Sequence, residues 1–169
     1  MIKEDFSTIV RKVRIFSGII LFAYVIMHLL NHSVNLFSID AADAIRINYF
    51  RPIWQNPVGL LLLYGSLFAH LILGFASILN RKSFKMKGKD WIQIVFPVLA
   101  LLFLAQHIAI SFIITKIFGG EETYSLFFAA MNTEKPSDLI MGAIFFSLMT
   151  IFIWGHGVIG LDAYLKQQA

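Results

Sequence analysis

The sequence contains no cysteine. That absence excludes disulfides, thiolate ligation of haem and cysteine-held iron–sulfur clusters in this chain, so a metal here must be taken by histidine, methionine or carboxylate. Charge is scarce as well: Asp, Glu, Lys and Arg make up 14% of the 169 residues, and only four prolines interrupt the chain. Against these shortages stand an apolar fraction of 58% and a mean hydropathy of +0.75, more apolar surface than one soluble core of this size can hide. The composition is that of an integral membrane protein in a lipid bilayer. A net charge of +4 would suggest nucleic acid in a soluble protein. Here the basic residues sit in short flanks beside apolar runs and read as orientation signals, so no nucleic-acid partner is expected. The first apolar run follows a basic amphipathic start and lacks a small-residue cleavage site, so it is expected to stay as a helix rather than leave as a signal peptide.

Four runs reach the ~20 residues that a bilayer requires: 15–37, 53–80, 91–118 and 139–165. They predict an all-α fold, a single four-helix transmembrane domain over residues 1–169. The connections agree: "SIDAADAIRINYFRP" ends in proline, "NRKSFKMKGKD" is too charged to bury, and "GGEETYSLFFAAMNTEKPSD" opens with two glycines. Within the last, "YSLFFAAM" predicts a short helix on the membrane surface or capping the bundle. Ten basic residues lie at the two termini and in the second connection, against four (Arg46, Arg51, Lys116 and Lys135) in the first and third. The positive-inside rule therefore places both termini in the cytoplasm. Trp54, Trp91 and Tyr164 stand at span ends, where interfacial aromatics belong.

All five histidines fall inside these spans: His28 and His32 on the first, His70 on the second, His107 on the third and His156 on the fourth. A lone intramembrane histidine is as readily a neutral imidazole hydrogen-bonded across helices as it is a ligand. One on each of four helices points to a ligand set. At ~1.5 Å per residue, His28 lies ~20 Å and His107 ~24 Å from the cytoplasmic ends of their helices, while His70 lies ~15 Å and His156 ~13 Å from theirs. Two depth-matched pairs result, as two stacked bis-histidine haems b in a four-helix bundle require. Gly74 and Gly160 follow His70 and His156 by four residues, on the same faces. They serve either porphyrin clearance or ordinary helix packing, whereas Gly18, Gly65, Gly155 and Gly157 carry the packing role alone. Arg14 and Arg51 stand near the helix ends, where guanidinium groups could neutralise haem propionates, though a topology role suffices for each. "HLLNH" has metal-pair spacing but no Glu inside it, so it is not a zincin motif.

"VIMHLLNH", "AHLILG", "QHIAISF" and "GHGVIGL", in this order on four helices, resemble the di-haem cytochrome b anchors of succinate:quinone oxidoreductases and fumarate reductases. The chain is more similar still to the cytochrome-b-like N-terminal anchor of certain bacterial class III adenylate cyclases, through "LLNH", "NPVGLLLLYG" and "HGVIGL". The resemblance covers essentially the whole chain. It implies iron ligation of one haem by His28 and His107 and of the other by His70 and His156. His32 matches the second histidine of the cyclase-like motif and would hydrogen-bond a propionate, a quinone or a helix neighbour. Also implied are a multi-pass location in the bacterial inner membrane, a homodimer, a quinone or quinol partner, and either an attached cyclase domain or a flavoprotein/iron–sulfur partner. The chain departs from the five-helix respiratory anchor, and it ends just past the fourth helix, as a cyclase lacking its cytoplasmic domains or a free-standing cytochrome would. Neither a nucleophile–base set, a P-loop nor paired buried carboxylates is visible, so no catalytic site is expected in this chain. Three classes stay open: a respiratory electron-transfer subunit, a redox- or quinone-sensing anchor of a signalling enzyme, and a haem-free transporter.

Overall fold

The computed structural model describes residues 6–83, 85, 87–118, 123–125 and 136–168. In chain order it comprises α1 (Phe6–Val34), α2 (Ile39–Ile45), a π-helical turn (Arg46–Phe50), α3 (Arg51–Trp54), α4 (Pro57–Leu79), α5 (Gly88–Phe118) and α6 (Pro136–Gln168). Four stretches are long and apolar enough to cross a membrane: Thr8–Val34, Pro57–Leu79, Gly88–Ile113 and Ile140–Lys166. The chain is thus an all-α, multi-pass membrane protein built as a four-helix bundle.

Several helix ends differ from the hydropathy limits. α1 starts at Phe6 rather than at residue 15, because helical hydrogen bonding carries on through Arg11, Lys12 and Arg14, whose long side chains tolerate the interface. It stops at Val34 rather than 37, and Ser38 caps α2 by accepting from the Ala41 N–H at 3.1 Å. The second span starts at Pro57, not at residue 53. Asn56 ends α3 and starts α4: its Oδ1 accepts from the N–H groups of Val58 (2.9 Å) and Gly59 (3.0 Å), while its Nδ2 donates to the carbonyls of Pro52 and Ile53. An N-cap asparagine followed by proline at the first helical position satisfies the orphan donors and pre-sets the backbone. The π turn is the part of the first connection that apolar periodicity does not announce.

This joint depends on Gly59. A Cβ there would meet the backbone carbonyl oxygen of Ile53 and lie 2.9 Å from the Trp54 Cα, atoms that cannot move without shifting α3. Gly59→Ala is therefore expected to destabilise the chain by about 1–3 kcal/mol, the cost of an overpacked contact. Gly65→Ala, whose Cβ would meet nothing within 4 Å, should be neutral. Thermal unfolding of both variants in detergent checks this, and equal midpoints would refute it.

α1 packs along α4 and α5 along α6, with a narrower contact between α1 and α6. The bundle thus consists of two helix layers. The α5/α6 layer is held by a run of rings, Phe96–Phe152 at 5.3 Å, Phe103–Phe152 at 5.7 Å and Phe103–Phe145 at 5.1 Å between centroids. At the terminal end Lys89 and Lys166 converge on Asp162. Gly155 and Gly157 have the packing role expected of them, against Phe96 and Phe22 respectively. Around Gly65 a Cβ would meet nothing within 4 Å, which leaves its packing role open. Across the layers Phe22 meets Trp154 at 5.3 Å. Among the described residues the buried apolar side chains are Ala42, Ala100, Tyr124 and Met149, and no large side chain is fully buried. The space between the two layers is bounded by Phe22 and Trp154.

Candidate functional site

The histidines meet across that space. His28 of α1 faces His107 of α5 with ring centroids 6.2 Å apart, and His70 of α4 faces His156 of α6 at 6.0 Å. Each pair takes one imidazole from each layer, and the pairing is the one that depth predicts. Two imidazoles that share one metal, each bound through a nitrogen at about 2 Å, would have ring centres no more than roughly 6 Å apart. Both observed separations fit. Among the described residues no group of three or more His, Cys, Asp and Glu is arranged to hold a metal ion. A pair of imidazoles alone suits a metal that arrives with its own equatorial ligands, as in a haem, better than a bare ion.

The His70–His156 pair is built from α1 upward. His70 Nδ1 donates to the Arg14 carbonyl at 3.1 Å and lies 3.3 Å from Ser17 Oγ, which itself donates to the same carbonyl at 3.0 Å. A backbone acceptor at Nδ1 fixes the tautomer and leaves Nε2 with a free lone pair, the usual preparation of a metal-binding histidine. Gly18 makes room for the ring: a Cβ there would stand 2.9 Å from His70 Cε1 and 3.3 Å from Nδ1. Gly18 is therefore a site residue that its sequence context hid among packing glycines. The Arg14 guanidinium bonds Ser77 on α4, beside the same pair. On the facing layer Gln93 Nε2 donates to the His156 carbonyl at 3.3 Å, and His156 Nδ1 is buried without a hydrogen-bond partner among the described residues. A buried, unpaired ring nitrogen is rare enough to need an explanation, and an absent ligand supplies one. Gly74 and Gly160 both face open space, since a Cβ at either would meet nothing within 4 Å, so they close off neither the clearance nor the packing role.

The His28–His107 pair carries a third imidazole. His32 Nε2 lies 3.0 Å from His28 Nε2, so His32 contacts a helix neighbour, one of the three partners expected for it. Tyr24 stacks on His28 at 5.5 Å and meets Trp54 edge-on at 5.3 Å. Trp54 is thus packed inward on the site instead of serving only as a belt residue. Above His32 the Tyr124 ring closes the bundle at 4.9 Å, its hydroxyl accepting from Asn31 Nδ2 at 3.0 Å. Tyr124 is held in turn by Asp43, whose carboxylate accepts from the Tyr124 N–H (2.6 Å), the Ser125 N–H (3.1 Å) and Ser125 Oγ (2.6 Å). Burial pushes the Tyr124 phenol above its ordinary value, so it keeps its proton at neutral pH. Of the "YSLFFAAM" stretch Tyr124 and Ser125 have the capping position expected of it, and residues 126–131 lie outside the described residues.

Arg46, at the start of the π turn, stands close enough to Tyr124 to act on its phenol. Arg51, expected there from its sequence position, donates from Nε to Gln55 Oε1 at 2.9 Å in an exposed contact. Among the described residues the side-chain carbonyl oxygens of Asn31 and Asn35 and the Trp54 indole nitrogen are buried without hydrogen-bond partners. Asn31 was legible as the polar residue inside "HLLNH". Arg46 and Tyr124 carry no comparable signal, because they reach the site through the π turn and an aperiodic connection. Comparison with family models, curated proteins and solved structures finds no match to this chain.

Proposed function

We propose that the protein is a di-haem b membrane anchor that moves electrons across the bilayer or reports the redox state of the membrane quinone pool. The observation that carries this reading is the pair of imidazole pairs, each spanning the two helix layers at a separation that suits one iron. His28 and His107 would hold the outer haem and His70 and His156 the inner one. Arg46 and Arg14 would offer cationic groups to the propionates, and His32, with Asn31 and Tyr124 behind it, would tune the outer site. A haem supplies a one-electron couple at each level. The chain's own residues fix the ligand tautomer at His70, exclude water with Tyr24, Phe22 and Trp154, and close the outer end with Tyr124.

The motif likeness supports a more specific role as the membrane domain of a dimeric class III adenylate cyclase in a bacterial inner membrane, with both termini in the cytoplasm. A second reading, a cytochrome b subunit of a succinate:quinone oxidoreductase-like complex, is favoured by the second connection. Arg81, Lys82, Lys85, Lys87 and Lys89 are all exposed there, a basic landing place for an acidic flavoprotein/iron–sulfur partner. Both readings share the haems. A pyridine haemochrome assay on purified protein is expected to give two haems b per chain, and one or none would reject the proposal.

A further inference from the structure

We infer that the groove between α1 and α4 seats one anionic phospholipid, with an acyl chain laid along the two helices and the phosphate at Lys12. The groove has a volume of about 470 Å³. Ser17 and Ser66, both buried, lie at its floor, and the largely exposed Phe16 and Leu61 stand at its edges. Gly65 keeps the floor open, since a Cβ there would meet nothing within 4 Å. The two helices run antiparallel: Arg14 bonds Ser77, and Ser17 Oγ stands 3.3 Å from His70 Nδ1. Lys12 therefore lies at the end of the bundle where the N-terminus and the second connection meet. Along α1 the lining runs from Ile9 to Ile20, ~16 Å at the rise of a helix. That is about half of the ~30 Å hydrocarbon core, the depth of one leaflet.

An apolar groove by itself would take any acyl chain, or a helix of a second copy. Charge narrows the choice. Neither α1 nor α4 contains an acidic residue, whereas Arg11 and Lys12 are exposed on α1, and Arg81 and Lys82, also exposed, follow α4 at the same end. A second copy packed here through the same helices would add cations to cations. A zwitterionic headgroup brings its own positive charge to the lysine. An anionic phospholipid fits both parts of the groove: its tail covers the apolar walls, and its phosphate meets an ammonium that a flexible stem carries up to the headgroup layer. Each basic residue near the membrane surface adds about a fivefold preference for anionic lipid, and this end of the groove has four. Ser17 lines the groove and touches His70, so one side chain separates the occupant from that imidazole. The inference goes beyond the haem reading and does not depend on it.

The test titrates the full chain, delipidated in detergent, with phosphatidylglycerol or phosphatidylcholine and counts bound lipid by native mass spectrometry, with haem content assayed separately. One phosphatidylglycerol is expected to stay on each chain, held about tenfold or more tightly than phosphatidylcholine. Lys12→Gln should weaken phosphatidylglycerol by about fivefold and leave phosphatidylcholine as it was. Gly65→Leu, which fills the groove, should abolish tight binding of both lipids. Gly142→Leu on α6, where a Cβ would also meet nothing within 4 Å, should bind as the unaltered chain does. Lys12 is exposed, so its variant decides the matter even where Gly65→Leu does not fold. Equal affinity for the two lipids, or phosphatidylglycerol binding unchanged in Lys12→Gln, would overturn the proposal. So would a change of oligomeric state in Gly65→Leu with lipid binding intact, which would make the groove a contact between copies. Two haems per chain without a preference for phosphatidylglycerol removes the lipid seat and leaves the haem reading standing. Selective lipid binding in a chain without haem does the reverse.

Discussion

Replacing either His70 or His156 with alanine is expected to remove the same component of the reduced-minus-oxidised spectrum and to lower the haem content from two per chain to one. The two rings face each other at 6.0 Å, and no spare imidazole lies within reach. Gly18, which packs on His70, marks the inner level on α1, and His28 stands ten residues further along, about 15 Å away at ~1.5 Å per residue. The hydrogen bond from His70 Nδ1 to the Arg14 carbonyl orients that ring independently of its partner, so on the proposed reading the remaining imidazole in His156→Ala would keep its position and be the sole protein ligand. Single-imidazole b haem is bound more weakly and becomes high-spin. Gly18→Val should shift the same spectral component without touching the other, because its branches would displace the His70 ring. If His70→Ala and His156→Ala remove different components, the inner pair is not a pair.

The elements that proved legible in the sequence are those governed by one-dimensional rules. Apolar length gives four spans because a bilayer sets a minimum, and helical rise converts residue number into depth. Depth paired His28 with His107 and His70 with His156, and the same pairs meet across the helix layers. Residues placed by non-helical chain were not legible. Arg46 opens the π turn that follows α2, whereas the sequence offered the guanidinium five residues later, on Arg51. Tyr124 is brought over His32 by a carboxylate on a distant connection, Asp43, a contact without periodicity or motif. Gly18 and Gly65 look alike as sequence, yet one meets an imidazole and the other meets nothing. That difference is decided by which neighbouring helix supplies the opposing side chain.

At the outer level the three imidazoles are expected to behave unequally. His107→Ala should eliminate the outer haem, since α5 has no second histidine. His28→Ala should lose only part of it, because His32 already places Nε2 within 3.0 Å of His28 Nε2 and can take over the vacated position. His32→Ala should keep both haems. One nitrogen cannot both ligate iron and hold a hydrogen bond to its neighbour, so with His28 on the metal, His32 is released to polar groups around it, and its loss tunes the site without dismantling it. The expected signature of His32→Ala is a shifted midpoint potential confined to the outer haem. Tyr124→Phe, which removes the hydroxyl that accepts from Asn31, should give a smaller shift in the same component. Redox titrations of the four variants decide the roles on α1: an outer haem lost in His32→Ala but kept in His28→Ala would make His32 the ligand and His28 its neighbour.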